Sequence, residues 1–302
     1  MKQVILNKTD LRVSEICLGA DVFGSRFDRE TAFGLLDRFR DAGGNFVDTA
    51  NIYSRDFEAG YSRSERFLGD YLRSRGKSAL IVATKGAHPN PKTMHTPRIS
   101  REELTRDIDE SLCSLGLDCI DFYWLHRDDP SMPIGEIIEL LEEFVRLGKI
   151  RFYGGSNYSR QRMLEADEYA KAHGLHGFSA VSNMWSPAVQ NVPYFSDDTL
   201  VSFDDGDLGL FDSTGMAFVP YSSTARGWFS KRAVCVVGGT LSSVFENPQN
   251  LALLERLKGT GKPVQTALLE HIRSYPEQII PITSVSRPEQ LDDILAVHSV
   301  NA

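Results

Sequence analysis

Apolar residues along this chain gather into short, nearly unbroken runs. They are EICLG (15–19), NFVD (45–48), LIVATK (80–85), IDFYWLH (120–126), IRFYGGS (150–156), FSAVSN (178–183), MAFVPYS (216–222) and QIIPI (278–282). A strand with one wet face alternates apolar and polar residues. Runs that are apolar throughout fit strands covered on both faces, as in a parallel sheet. Between the runs the spacing turns helical. ETAFGLLDRFRDAG (30–43) sets Phe33, Leu36 and Phe39 on one stripe and stops at a Gly pair. ISREELTRDIDESLCSLG (99–116) opens with Ser100 and has Glu103 three residues on, a capping box. PIGEIIELLEEFVRLGK (133–149) starts at Pro133 and stops near Gly148, and SRQRMLEADEYAKAHG (159–174) runs from a Ser to a Gly. This alternation predicts an α/β fold, a TIM-type (β/α)8 barrel, with residues 1–302 as a single domain. A doubly wound sheet would carry GxGxxG after its first strand, and that spacing occurs nowhere. GTGKP (259–263) lacks the first Gly and the closing Ser/Thr of a phosphate-binding loop. Residues 186–213 and 223–250 are expected to form long loops.

A barrel carries its reactive groups just past the C-terminal ends of its strands. Asp48 closes NFVD, Tyr53 follows in the next loop, Lys85 closes LIVATK and His126 closes IDFYWLH. Any one of these is an ordinary strand-end residue; together on one face they form a constellation. A phenol has a pKa of about 10, and a neighbouring ammonium is expected to lower it. A carboxylate beside the ammonium keeps it charged, and an imidazole can share a hydrogen bond with a substrate oxygen. The set suits proton transfer to a developing alkoxide. That is the chemistry of carbonyl reduction when a hydride donor is bound alongside. No nucleophile suited to acyl transfer accompanies it, and no Cys/His spacing suggests a metal.

Charge narrows the partners. Lys and Arg total 33 against 41 Asp and Glu, a net charge of -8, with no basic cluster to meet nucleic-acid phosphates. No run suits a signal peptide or a membrane span, so a cytoplasmic location is expected. Among the four cysteines, Cys17, Cys113 and Cys119 lie in apolar stretches and are expected to be buried thiols, with Cys235 the fourth. The acidic stretch from Asp197 to Asp207 is expected to be a solvated loop, and the HGLH run at His173 and His176 a simple connection. Trp185 and Trp228 are expected to line a substrate cavity and Trp124 to fill the barrel interior. The cavity walls are expected from Val22–Arg26, Arg127–Met132, Trp185–Pro193 and Gly227–Gly238.

From LRVSEICLG to RPEQLDDIL the chain resembles the aldo-keto reductase family. NFVDTANIY is similar to the family's DTA-x-x-Y segment, VATK to its lysine strand and YWLHRDDP to its histidine strand. SREELTRDIDESLCSLGLDCIDFY and LGKIRFYGGSNYS match its most recognisable stretches. The resemblance implies a barrel that reduces small aldehydes or ketones with NADPH, or with NADH as the alternative donor. It makes Tyr53 the general acid, tuned by Asp48 and Lys85, with His126 orienting the carbonyl. Ser156 and Asn157 would bind the nicotinamide carboxamide, Tyr221 would stack on the ring, and Ser222 and Thr224 would meet the pyrophosphate. Ser182 stands where the family has Gln, with Asn183 beside it as a substitute. Ser286, Arg287 and Gln290 would serve the adenine end, Arg287 gripping a 2′-phosphate. Ser284 and Ile294 replace the family's glycine and asparagine there. A catalytically weak, redox-sensing regulatory protein of the same fold is the alternative. No nucleic-acid or membrane partner is implied, and nothing in the pattern specifies an oligomer.

Overall fold

The computed structural model describes residues 1–298. Eight strands form one parallel sheet: β1 (Cys17–Gly19), β2 (Phe46–Asp48), β3 (Ile81–Gly86), β4 (Ile120–Leu125), β5 (Ile150–Ser156), β6 (Ala180–Ser182), β7 (Ala217–Phe218) and β8 (Ile282–Thr283). Their spatial order is β7-β6-β5-β4-β3-β2-β1-β8. The seam between the two outer strands is closed by backbone bonds. Phe218 N donates to Gln278 O, and Ile280 N and Ile282 N donate to Phe218 O and Pro220 O, at 2.8–2.9 Å. The sheet is therefore a (β/α)8 barrel; six strands lie within the runs that predict them, and β3 and β8 each extend one residue past theirs, to Gly86 and Thr283.

Helices α1 (Arg29–Asp41), α2 (Arg63–Arg75), α3 (Arg101–Leu115), α4 (Ile134–Arg146) and α5 (Arg160–His173) follow the first five strands. Four begin on a side-chain cap: Asp28, Ser62, Ser100 and Ser159 each accept a backbone N–H from the first turn. At α3 only half of the expected box forms. Ser100 accepts from Glu103 N at 3.2 Å, but the Glu103 carboxylate turns to Arg98 and Arg106. The segment 186–213 is not wholly loop, since it ends in α6 (Gly209–Thr214). The connection after β7 folds into α7 (Trp228–Val234) and α8 (Gly239–Phe245), followed by α9 (Pro248–Lys258), α10 (Val264–Ile272) and α11 (Gln290–Leu295).

Two apolar layers result. The barrel interior holds Cys17, Phe46, Ala83, Phe122, Trp124, Ala180 and Ala217. Trp124 fits there because Gly154 opposes it; a Cβ on Gly154 would stand 2.7 Å from the indole. A hairpin of Gln3–Ile5 and Arg12–Ser14 brings Leu6, Leu11 and Val13 to the same cluster. The larger layer lies between barrel and helices. Trp185 and Trp228 belong to it, both buried. Trp185 packs on Phe218 and Tyr275, and Trp228 on Phe229 and Phe245, so they support the walls rather than line a cavity. Of the cysteines only Cys17 is buried. Cys113 is exposed because α3 turns Leu104, Ile108 and Leu115 inward, away from it.

Candidate active site

The C-terminal ends of β2, β3 and β4 converge on one cluster. Lys85 and Asp48, each 3% exposed, form a buried ion pair, and Lys85 Nζ also donates to Thr49 O at 2.8 Å. Burial disfavours the Lys85 ammonium, but the Asp48 carboxylate and the Tyr53 oxygen more than compensate, so it stays charged. Tyr53 is half-buried, and Lys85 Nζ sits 4.8 Å from its ring centroid. The His126 ring meets Tyr53 edge-on, with centroids 5.7 Å apart. The expected lowering of the phenol pKa is not the net result: desolvation pushes Tyr53 up, and the Lys85 charge only partly offsets it. The resting group is thus a firmly protonated phenol. Burial holds the His126 pKa well below its usual value, with help from His88, Arg127 and Lys85, so the imidazole is neutral at neutral pH.

This cluster opens into a cleft of about 730 Å³. Twelve of the thirteen sequence-predicted residues line it: Asp48, Tyr53, Lys85, His126, Ser156, Asn157, Tyr221, Ser222, Thr224, Ser286, Arg287 and Gln290. Ser182 does not. It is fully buried behind Ser156, whose Oγ donates to Ser182 O at 2.7 Å. Asn157 lines the cleft with its amide fully engaged. Its Nδ2 donates to His126 O and Ser156 Oγ, both 3.1 Å, and its Oδ1 accepts from Tyr221 OH at 2.7 Å and Val201 N at 3.2 Å. A ligand amide would have to displace one of these bonds. Asn183 is equally committed to the backbone of Asn157 and Tyr158. Gln290 accepts from Ser286 N and Arg287 N at 2.7 and 3.1 Å, shaping the turn rather than reaching outward with that oxygen.

The lining also includes unpaired cations. Arg226, Lys231 and Arg287 all line the cleft, and none pairs with a carboxylate among the described residues. Ser222, Ala225 and Arg226 take left-handed backbone angles after β7, a cost that functional loops characteristically bear. Sequence reading passed over Arg226 and Lys231, although TARGWFSK carries both directly after the expected hydroxyl run. The expected walls are partly displaced. Phe195 and Leu200 line the cleft, whereas no residue of 185–193 does. The acidic stretch is partly structural, with Asp197 pairing Arg127 at 3.3 Å and Asp205 accepting from the Trp185 indole at 3.2 Å. Among the described residues no helix is long and apolar enough to cross a membrane, and no three His, Cys, Asp or Glu side chains converge to hold a metal.

A parallel barrel with a Tyr–Lys–Asp–His cluster at its strand ends is the architecture of one class, and sequence comparison agrees. A profile of the Aldo/keto reductase family matches residues 15–301, and the chain belongs to that family. It is 28% identical to norsolorinic acid reductase stcV of Emericella nidulans, over 93% of this chain and 73% of that protein. It is 32% identical to the uncharacterized oxidoreductase YrpG of Bacillus subtilis, over 98% and 90%. It is 25% identical to aryl-alcohol dehydrogenase GME11368 of Pestalotiopsis microspora, over 96% and 76%.

Proposed function

We propose that this single-domain barrel is an NADPH-dependent reductase of small aldehydes or ketones, with Tyr53 as the proton donor. One observation carries the reading: the Tyr53 phenol lies against the Lys85 ammonium and the His126 ring, in a cleft also lined by Arg226, Lys231 and Arg287, none of them paired with a carboxylate among the described residues. That donor set fits an anionic dinucleotide. Ser222 and Thr224 offer hydroxyls to a pyrophosphate, and Arg226 and Lys231 offer charge. Arg287 with Ser286 suits a 2′-phosphate, which favours NADPH over NADH. Tyr221 offers a ring face for a nicotinamide. When bound, the reduced nicotinamide supplies the hydride that the carbonyl carbon receives.

The protein's own groups handle the oxygen. Neutral His126 can hydrogen-bond the carbonyl oxygen and hold it toward Tyr53. Tyr53 gives its proton to that oxygen as negative charge develops there. The phenolate left behind is stabilised by Lys85, which Asp48 keeps charged and in place. The test follows NADPH absorbance with a panel of aldehydes for wild type and Tyr53→Phe. The variant should lose about 10²- to 10⁴-fold in kcat, the usual worth of a positioned acid. Equal turnover would remove Tyr53 from the role. Tight NADPH binding without turnover across the panel would instead mark the regulatory alternative.

A further inference from the structure

Asp48, Lys85 and Trp124 come from three neighbouring strands, and the barrel interior lies beneath them. Residues two apart on a strand share a face. Phe46, Ala83 and Phe122 all belong to the interior cluster, so Asp48, Lys85 and Trp124, two residues further along β2, β3 and β4, turn inward as well. Lys85 is the middle member. It stands opposite Trp124 in the β3–β4 ladder, while Asp48 lies opposite Ala83 in the β2–β3 ladder. The ammonium thus has a carboxylate from one neighbouring strand and an indole from the other. Cys17, from β1, completes the surroundings; its thiol feels the charges of both Asp48 and Lys85.

Trp124 is fully buried, its ring tilted against Phe122 with centroids 4.4 Å apart. Filling space there calls only for hydrocarbon, which is what the other buried members of the interior cluster offer, Cys17 apart. An indole adds one N–H donor in a place sealed from solvent, and a buried donor without an acceptor is costly. The Asp48 carboxyl is the acceptor at hand. Lys85 Nζ donates to its Oδ2. The Trp124 N–H favours the ionised carboxylate against the effect of burial, and neither Trp124 Nε1 nor Asp48 Oδ1 has any other hydrogen-bond partner.

We propose that Trp124 is a positioning residue: its indole N–H holds Asp48 Oδ1, which fixes the carboxylate so that Oδ2 stays on Lys85 Nζ and the ammonium stays beside Tyr53. Trp124 does not line the cleft, so it touches neither substrate nor dinucleotide and acts only through Asp48. Its part in catalysis rests on the reductase reading; the bond from indole to carboxylate does not.

The test has a kinetic and a spectroscopic arm. Two replacements remove the donor. One is Trp124→Phe. The other is benzothienylalanine at position 124, which exchanges only the indole N–H for sulfur and keeps the packing should the Phe protein fail to fold. Each should lower the single-turnover rate with a good aldehyde by about tenfold, the worth of a hydrogen bond to a charged group, with the KM for NADPH unchanged. In an Asp48→Asn background the same replacements should cost less than about twofold, because the group they act through is already gone. A role confined to packing would cost the same in both backgrounds. That result, or a full rate in the benzothienyl protein, overturns the proposal. In the second arm, nuclear magnetic resonance follows the indole N–H signals, assigned with Phe replacements of Trp124, Trp185 and Trp228. Asp48→Asn should move the Trp124 proton upfield and leave the other two in place, since Trp185 donates to Asp205 and Trp228 packs on Phe229 and Phe245. A Trp124 signal that stayed in place would show that the bond is not there. If wild type reduced no aldehyde, the reductase reading would fall while this arm still decided the bond.

Discussion

Replacing Lys85 with Met tests the proposed chemistry most directly. The side chain is fully embedded, so Met keeps the volume and removes the charge. Lys85 Nζ lies 4.8 Å from the Tyr53 ring centroid. Unit charges about 5 Å apart at an effective dielectric constant of about 20 interact by about 3 kcal/mol. That energy is absent while Tyr53 is a neutral phenol and appears only as its proton leaves. Its loss should therefore fall on kcat, by on the order of a hundredfold, with little change in NADPH affinity. A second effect must be separated. Met leaves Asp48 buried without its counter-ion, which costs about 3–5 kcal/mol of stability unless the carboxyl takes up a proton. The double variant Asp48→Asn/Lys85→Met removes that strain. It should recover most of the melting temperature while staying as slow as the single variant. The assay is single-turnover oxidation of NADPH with a good aldehyde, beside thermal melts of all three proteins. If Lys85→Met kept its rate within about threefold, or the double variant regained rate along with stability, Lys85 would be a structural residue only.

Four further outcomes follow from the same geometry. With the Tyr53 pKa raised by burial, single-turnover reduction should stay level through neutral pH and decline only above the ordinary tyrosine range; a decline centred near neutrality would contradict this. With the His126 pKa held well below 6.5, no rate change should titrate between pH 8 and the ordinary histidine value, and an inflection at 6.5 would show that the ring ionises. Arg287→Ala should raise the KM for NADPH by about 10- to 100-fold, the worth of a charge-assisted contact, and barely touch that for NADH; equal effects would remove Arg287 from the phosphate. Glu65 is buried with its pKa raised to about 7, so the folded protein holds a proton there that the unfolded chain has released, and stability falls as pH rises from about 4.5 through 7. Glu65→Gln should therefore melt increasingly above wild type between about pH 5 and 8, and a constant difference would place the ionisation elsewhere.

The barrel and the meeting of Asp48, Lys85 and His126 were legible for one reason: titratable residues closing continuous apolar runs must lie at strand ends, and parallel strands share those ends. What was hidden follows from contacts that no local pattern encodes. Helix α2 has no clean apolar stripe because its buried face includes Ser64 and Glu65 beside Leu68 and Leu72. Ser182 and Asn157 carry the expected chemistry in the expected places. Only the packing shows that Ser182 lies behind Ser156 and that Asn157 has spent all four hydrogen-bonding positions. Trp185 and Trp228 belong to polar, irregular stretches that look like cavity walls, yet long loops fold their own aromatic groups inward.

The Asp48–Lys85 pair is hard to explain as a device for folding. Both groups surrender their hydration in a site where apolar residues of similar size would serve stability as well or better. Such an arrangement is intelligible when something beside it must change charge. Burial makes the Tyr53 phenol reluctant to ionise, and in the proposed reaction the ammonium would reduce that reluctance as the proton leaves. The carboxylate in turn prevents Lys85 from discharging in the same dry surroundings. Each of the three groups corrects the effect of burial on the next, and the chain of corrections ends at the Tyr53 hydroxyl in the wall of the cleft.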